Sequence, residues 1–317
     1  MKRIILALAT ASLLSSAQAV ETILLLRTEG DAFQEVASSI KERLSGDFTV
    51  QEEIVAGTLT ASATAELVNK SKPSLVILMN NSSVSSYKMY QKSLPESSTP
   101  IPTISLMVAL LPTQIEGLKN ATGISYEVPI VTSVVNLRHL LAIDSVKLGV
   151  VYREFLKPFI DTNEGYCKKE NIQLIRGFVP SDNVNYSALL EKGLQHLTTV
   201  KGANMIWVPN DPVFLKPEII SNVWKPFAEK NSIPIIVGVE SMLSSNVNFG
   251  TYAVLPDHVS LGQQAADMVY SIKNAGWKVE GSIVEPPISI FQVLNPKKIQ
   301  KKFNIDETTV DVDKVIK

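Results

Sequence analysis

Hydrophobic positions in this chain fall in short blocks separated by helical patterns. Apolar runs stand at 22–26 (TILLL), 74–79 (SLVILM) and 102–108 (PTISLMV), and again at 146–152, 172–179, 204–208 and 234–239. Most are nearly continuous in hydrophobicity, as expected for parallel strands covered on both faces. Between them, the patterns at 31–44, 61–70, 83–92, 131–142, 155–169, 186–198 and 217–230 predict helices. This is strand–helix repetition run twice, sharp in the second unit and indistinct around 45–60 in the first. The stretch SYEVPIVT (125–132), broken by Pro129, is the expected crossover between the two sheets.

After the second unit, 249–255 reads as a strand. A helix follows whose apolar face is Leu261, Ala265, Met268, Val269 and Ile272, with Gly276 as its stop signal. In an extended segment at 282–295, Pro286 and Pro287 confine the start to an edge or bend. These pieces are too few to close a third core, so they are expected to return to the existing lobes and make a hinge of several chain crossings. The predicted fold class is α/β, with two Rossmann-like lobes, parallel-sheet cores and an interlobe hinge. Residues 20–127 plus about 251–283 are assigned to the first lobe, and about 128–250 plus 284–317 to the second.

The first residues change the picture of where the chain works. Met1, Lys2 and Arg3 precede a mostly apolar stretch from Ile4 to Leu14 and an A-x-A site at Ala17–Ala19. This is the pattern of a secretory signal peptide over 1–19. No later apolar run reaches the roughly 20 residues that span a bilayer, so a soluble, exported and periplasmic chain is expected. The chain carries 30 basic and 31 acidic side chains, and the leader takes two of the basic ones with it. That balance argues against nucleic acid as a partner, which needs a concentrated basic face. The single cysteine, Cys167, cannot form an intramolecular disulfide and reads as an inert, partly buried thiol.

The enzyme signatures are largely missing. There is no G-x-G-x-x-G after a strand, no phosphate-binding G-x-x-x-x-G-K-[ST], no H-E-x-x-H and no G-x-S-x-G. With one cysteine and scattered histidines, no metal and no cofactor are expected, and no catalytic residue is assigned. What remains are polar and aromatic residues just after strand ends, where open parallel sheets bind ligands. They are Arg27, Thr28 and Phe33 after the first strand and Asn80, Asn81 and Ser82 after a later inner strand. In the second unit they are Tyr152, Arg153 and Phe155, then Asn210 and Asp211, then Glu240 and Ser241, and finally Asp257. Arg27 or Arg153 would hold a carboxylate, and Asp211, Glu240 or Asp257 an amino group. Each also fits a plain role as helix cap or turn former; the functional reading rests on their convergence at one cleft.

Several stretches, taken in order, resemble a known family: ATGISYEVPIVTSVVNLRHLLAIDSVKLGVVY, MIWVPNDPVF, NSIPIIVGVESML, FGTYAVLPDHVSLGQQAADMVYSIKNAG and SIFQVLNPKKIQKKFNI. The chain is similar to the periplasmic substrate-binding proteins of ABC transporters with the type I periplasmic-binding fold, in the branch that includes tryptophan- and tyrosine-binding members. The resemblance implies two lobes that close on a small ligand, held by the region of Asn80 to Ser83, by Asp211, by Glu240 and Ser241, and by the loop at Pro256 and Asp257. Two departures stand out: LMVALLPTQIEG lacks the Asp-Pro turn common in relatives, and Pro212 stands where an asparagine is frequent. The implied function is capture of a small organic ligand, an amino acid or aromatic metabolite, for delivery to an ABC permease. A ligand-sensing module facing a membrane sensor is the alternative, and an exported enzyme using Glu240, Asp211 or His258 is a third.

Overall fold

A computed structural model describes residues 20–180, 185–281, 284–300, 303, 305 and 310–316; the segment expected to be a signal peptide, 1–19, lies outside them. The first lobe runs β1 (Glu21–Arg27), α1 (Asp31–Leu44), β2 (Phe48–Ile54), α2 (Ala61–Ser71), β3 (Leu75–Met79), α3 (Asn81–Ser93), β4 (Thr103–Leu106), α4 (Leu111–Ile115) and β5 (Ala121–Ile124). The second runs α5 (Ile130–Leu140), β6 (Lys147–Arg153), α6 (Lys157–Lys169), β7 (Gln173–Val179), α7 (Tyr186–Gln195), β8 (Met205–Val208), α8 (Pro217–Ile219), α9 (Lys225–Lys230), β9 (Ile235–Val237) and β10 (Tyr252–Pro256). The tail adds α10 (His258–Asn274), β11 (Val284–Glu285), β12 (Ile290–Leu294) and β13 (Lys314–Val315).

The sheets have the orders β11-β5-β4-β3-β1-β2 and β13-β12-β10-β9-β8-β6-β7. Without the tail strands, each is one doubly wound order, 2-1-3-4-5, whose switch point lies between its first and third strands. The continuous apolar runs follow from burial on both faces. Ile23 and Leu25 of β1 join one core cluster with α1 and α10, while Leu24 and Leu26 join another against α2 and α3. In the second sheet Ile206 and Val208 face one cluster, and Met205 and Trp207 the other. β12 is the exception to parallel pairing, running antiparallel to β10.

Two of the expected lobe boundaries shift. The stretch from 251 was assigned to the first lobe, but β10 pairs with β9 (Tyr252↔Ile236, Ala253↔Val237) and so extends the second sheet. Residues from 284 were assigned to the second lobe, but β11 pairs with β5 (Val284↔Gly123) as an edge of the first sheet. The rest of the stretch from 251 joins the first lobe as expected, α10 docking on α1, Trp277 donating to Glu21 and Val279 N to Asn120. The chain therefore crosses between lobes at 125–129, at Asp257 and at 286–289. Cys167 is fully buried, and burial pushes its thiol pKa up to about 11, so it is packed and inert.

Candidate functional site

Most of the strand-tip residues are spent inside their own lobe. Arg27 is buried at the end of β1, where its guanidinium contacts Glu52 and Gln34 and donates to the Thr28 carbonyl at 2.9 Å. Lys41 reaches the other Glu52 oxygen at 2.6 Å. Burial would raise the Glu52 pKa, but Lys41 and Arg27 outweigh it and hold the carboxyl below its usual value. Arg27 thus has no free fork for a ligand carboxylate. Thr28 and Phe33 are half-buried beside it, and Phe33 packs on the lobe core.

The Asn80 side chain caps α3, accepting from Ser83 N at 2.8 Å. Asn81 exchanges two 3.0 Å hydrogen bonds with Ala109 and pins the loop after β4. Ser82 is half-buried on the first turn of α3.

In the second lobe Arg153 and Asp211, expected to hold ligand groups of opposite charge, hold each other in a bidentate pair at 2.8 Å. Asp211 has no exposed surface and also accepts from Val213 N at 2.8 Å, so it fixes the turn that ends β8. The hydrogen bonds to Asp211, chiefly, raise the Arg153 pKa, and its guanidinium also lies 4.7 Å from the Phe155 ring and 5.4 Å from Tyr186. Tyr152 is core and packs on Phe178, whereas Phe155 is exposed. Glu240 pairs with Lys314 at 2.6 Å, Ser241 is exposed on a short 3-10 turn, and Asp257 caps α10 through Ser260 N at 2.8 Å.

The space between the lobes lies elsewhere, against the hinge. A cavity of about 430 Å³ is bounded by the β4–α4 loop of the first lobe, by α6 of the second, by the crossing at 125–129 and by β11 with Pro286 at the start of the last crossing. Its walls include Leu110, Glu127, Phe159, Thr162, Tyr166 and Glu285. A small recess adjoins it, sharing Glu127 and Phe159 and ending on Asn210 and Gly238 at the tips of β8 and β9. Asn210 is the strand-tip candidate that lines these spaces. Its Oδ1 is buried and has no partner among the described residues. Gly238 makes room for that amide: a Cβ there would stand 2.6 Å from Asn210 Oδ1.

Residues that strand-tip reasoning missed complete the site. Glu127 accepts from Leu110 N at 2.9 Å, and burial raises its carboxyl pKa above the usual range. Leu110 is held in the left-handed region (φ 54), as is Met107 (φ 55), in the loop that lacks an Asp-Pro turn. Tyr126 Oη lies 3.0 Å from His258 Nε2, and His258 Nδ1 lies 3.1 Å from Glu35. Burial, with the charges of Glu127 and Glu240, pushes the Tyr126 hydroxyl up to about 12, so it is a hydrogen-bonding group rather than a nucleophile. The signal for these residues was an acid and an aromatic inside a crossover, SYEVPIVT, which binary patterning alone reads as a linker. Among the described residues no group of three His, Cys, Asp or Glu could hold a metal ion, and no helix is long and apolar enough to cross a membrane.

Two doubly wound lobes, three crossings and a cavity at the hinge define the type I periplasmic-binding-protein-like fold. The chain is similar to the open, ligand-free structure of a substrate-binding protein with adhesive properties from Clostridium difficile. Identity is 16% and the TM-score 0.67, over 94% of this chain and 99% of that one. It is similar also to an ABC domain in complex with L-Trp from Streptococcus pneumonia, at 17% identity and a TM-score of 0.53 over 93% and 100% of the two chains. A periplasmic ribose ABC transporter structure from Conexibacter woesei gives 13% and 0.52 over 89% and 93%. No family model and no curated protein matches the sequence. At these identities what is shared is the fold.

Proposed function

We propose that this chain is an exported solute receptor that takes a small organic ligand into the hinge-side cavity and delivers it to an ABC permease. The observation that carries the reading is the placement of the cavity: about 430 Å³, walled by both lobes and by the crossings that connect them. A ligand there touches α6, the β4–α4 loop and the hinge at once, so its binding energy depends on the angle between lobes. The volume is in the range of small-molecule sites, about 300–1,000 Å³. Export is supported by Lys2, Arg3, the apolar stretch after them and Ala17–Ala19. The resemblance to tryptophan- and tyrosine-binding proteins supports a ligand with an aromatic part.

The test combines thermal shift with small-angle scattering on the mature chain, against amino acids, amines, sugars, short peptides and aromatic metabolites. A true ligand raises the melting temperature and lowers the radius of gyration, and Thr162→Trp, which fills the cavity from α6, abolishes both responses. A panel in which nothing shifts the melting temperature, or a ligand whose effect survives Thr162→Trp, sinks the proposal. Co-purification with a permease rather than a membrane sensor checks the partner.

A further inference from the structure

We propose that the interlobe cavity selects an amine: a ligand with a positively charged nitrogen on a flat apolar body, and without a carboxylate. This rests on the reading of the cavity as a solute site and narrows it to a chemical class. The argument is the sign of the groups that face the space. Glu127 and Glu285 both line the cavity, and no Lys, Arg or His is among its lining residues or those of the recess beside it. Nearby cations are committed elsewhere. Lys88 donates to the Gln114 carbonyl at 2.9 Å, and Lys169 stands 6.0 Å from the Tyr166 ring centroid without lining the space.

Three of the neutral polar side chains on the cavity wall are committed inside the protein as well. Asn163 accepts from Ile130 N at 2.9 Å and donates to the Phe159 carbonyl at 3.0 Å, which occupies the first N–H of α5. The Thr162 hydroxyl donates to the Pro158 carbonyl at 3.0 Å, and the Ser125 hydroxyl to the Glu127 carbonyl at 3.1 Å. The charged groups that face the space are of one sign, and two of the acceptors there are little used. The Asn210 Oδ1 is a buried acceptor without a partner, and Glu285 takes a single neutral hydrogen bond, from Gln264 at 3.1 Å. Glu127 takes only backbone donors, Leu110 N and its own N–H, and no cation.

Carboxylates facing a partly apolar space are costly until a cation arrives, and an ammonium supplies both the charge and several donors. A ligand carboxylate would meet like charge with no cation among the lining residues to offset its desolvation. Phe159 and Tyr166 form an apolar wall suited to a planar body. A zwitterionic amino acid satisfies half of this chemistry; an arylalkylamine satisfies all of it.

Isothermal titration of the mature chain at neutral pH decides the matter, with tryptamine and phenethylamine as amines, L-tryptophan and L-phenylalanine as the amino acids with the same rings, and indole-3-propionate as the acid. The expected result is that an amine binds about tenfold or more tighter than its amino acid, with no heat from the acid. Glu127→Gln and Glu285→Gln should each weaken the amine about tenfold while leaving the thermal midpoint of the free protein no lower. Glu285 is exposed, so its variant carries the test if the Glu127 variant folds poorly. Equal or tighter binding of the amino acid, or amine binding that ignores both substitutions, overturns the amine assignment and leaves the solute receptor standing. Binding of a sugar or peptide in the cavity does the same, whereas silence from every solute removes both.

Discussion

Asp211 is fully buried, takes two hydrogen bonds from Arg153, and accepts a third from Val213 N. Its charge is therefore a structural one. Asp211→Asn keeps the turn acceptor but leaves the Arg153 guanidinium, itself little exposed, without its counter-ion. We expect a loss of about 3 kcal/mol in urea unfolding, the lower end for breaking a buried pair, with ligand affinity of the folded protein unchanged. Glu127 behaves in the opposite way. Burial, the first cause, raises its pKa above that of the unfolded chain, with Tyr126 and Glu285 the acidic groups that share its cavity and recess. The folded state binds this proton more tightly, so the penalty is absent below about pH 4, where both states are protonated. It grows as pH rises and is complete above the raised pKa. Glu127→Gln should match the parent in urea titrations near pH 4 and exceed its stability at pH 8; a variant less stable at pH 8 would show that the carboxylate is stabilising as it stands.

α10 lies in the first lobe because one glycine lets it approach α1. A Cβ on Gly262 would stand 2.6 Å from Ser39 Cβ and 2.7 Å from the Val36 carbonyl oxygen, and backbone cannot yield as a side-chain tip can. Gly262→Ala should cost about 1–3 kcal/mol by overpacking and break the 2.7 Å bond from Ser39 to the Val259 carbonyl, lowering the first lobe's calorimetric transition. The elements themselves were largely legible. α1 spans the predicted 31–44, and the strands buried on two faces announced themselves as unbroken apolar runs. β2 did not, because an edge strand reading FTVQEEI spends Gln51, Glu52 and Glu53 on surface and ion pairs. β5, with Ala121, Thr122 and Gly123, is too short and too small-sided to register. The site was less legible still. Polar residues at strand tips read as ligand contacts, but helix starts and intralobe pairs use most of them; the cavity draws Glu127 from a crossing and Glu285 from the two-residue strand β11, neither of which carries a periodic signal.

The tail stitches the lobes together out of sequence order, and that order has a measurable consequence. Everything the first sheet needs, including α10 and β11, is complete by Glu285. The second sheet is not, since β12 returns after the last crossing and pairs along the whole of β10, from Tyr252↔Leu294 to Pro256↔Ile290. It places Val293 in one core cluster of that lobe and Leu294 in the other, both fully buried. Asn295, buried at the end of this strand, donates to the Leu243 carbonyl at 2.9 Å and its N–H to the Thr251 carbonyl at 2.7 Å, tying down the loop after β9. A chain cut after Ile288 should therefore keep a native first lobe and lose the second, because β10 becomes an open edge and both faces of its sheet lose packing. Hydrogen exchange should show protection retained across β1, β3 and α10 and lost across β8, β9 and β10, with the parent's unfolding replaced by a first-lobe transition alone. Uniform loss of protection in both lobes would mean that the crossings, rather than each sheet's own core, hold the first lobe together. Uniform retention would mean that β12 acts as an edge cover rather than as part of the second lobe's core.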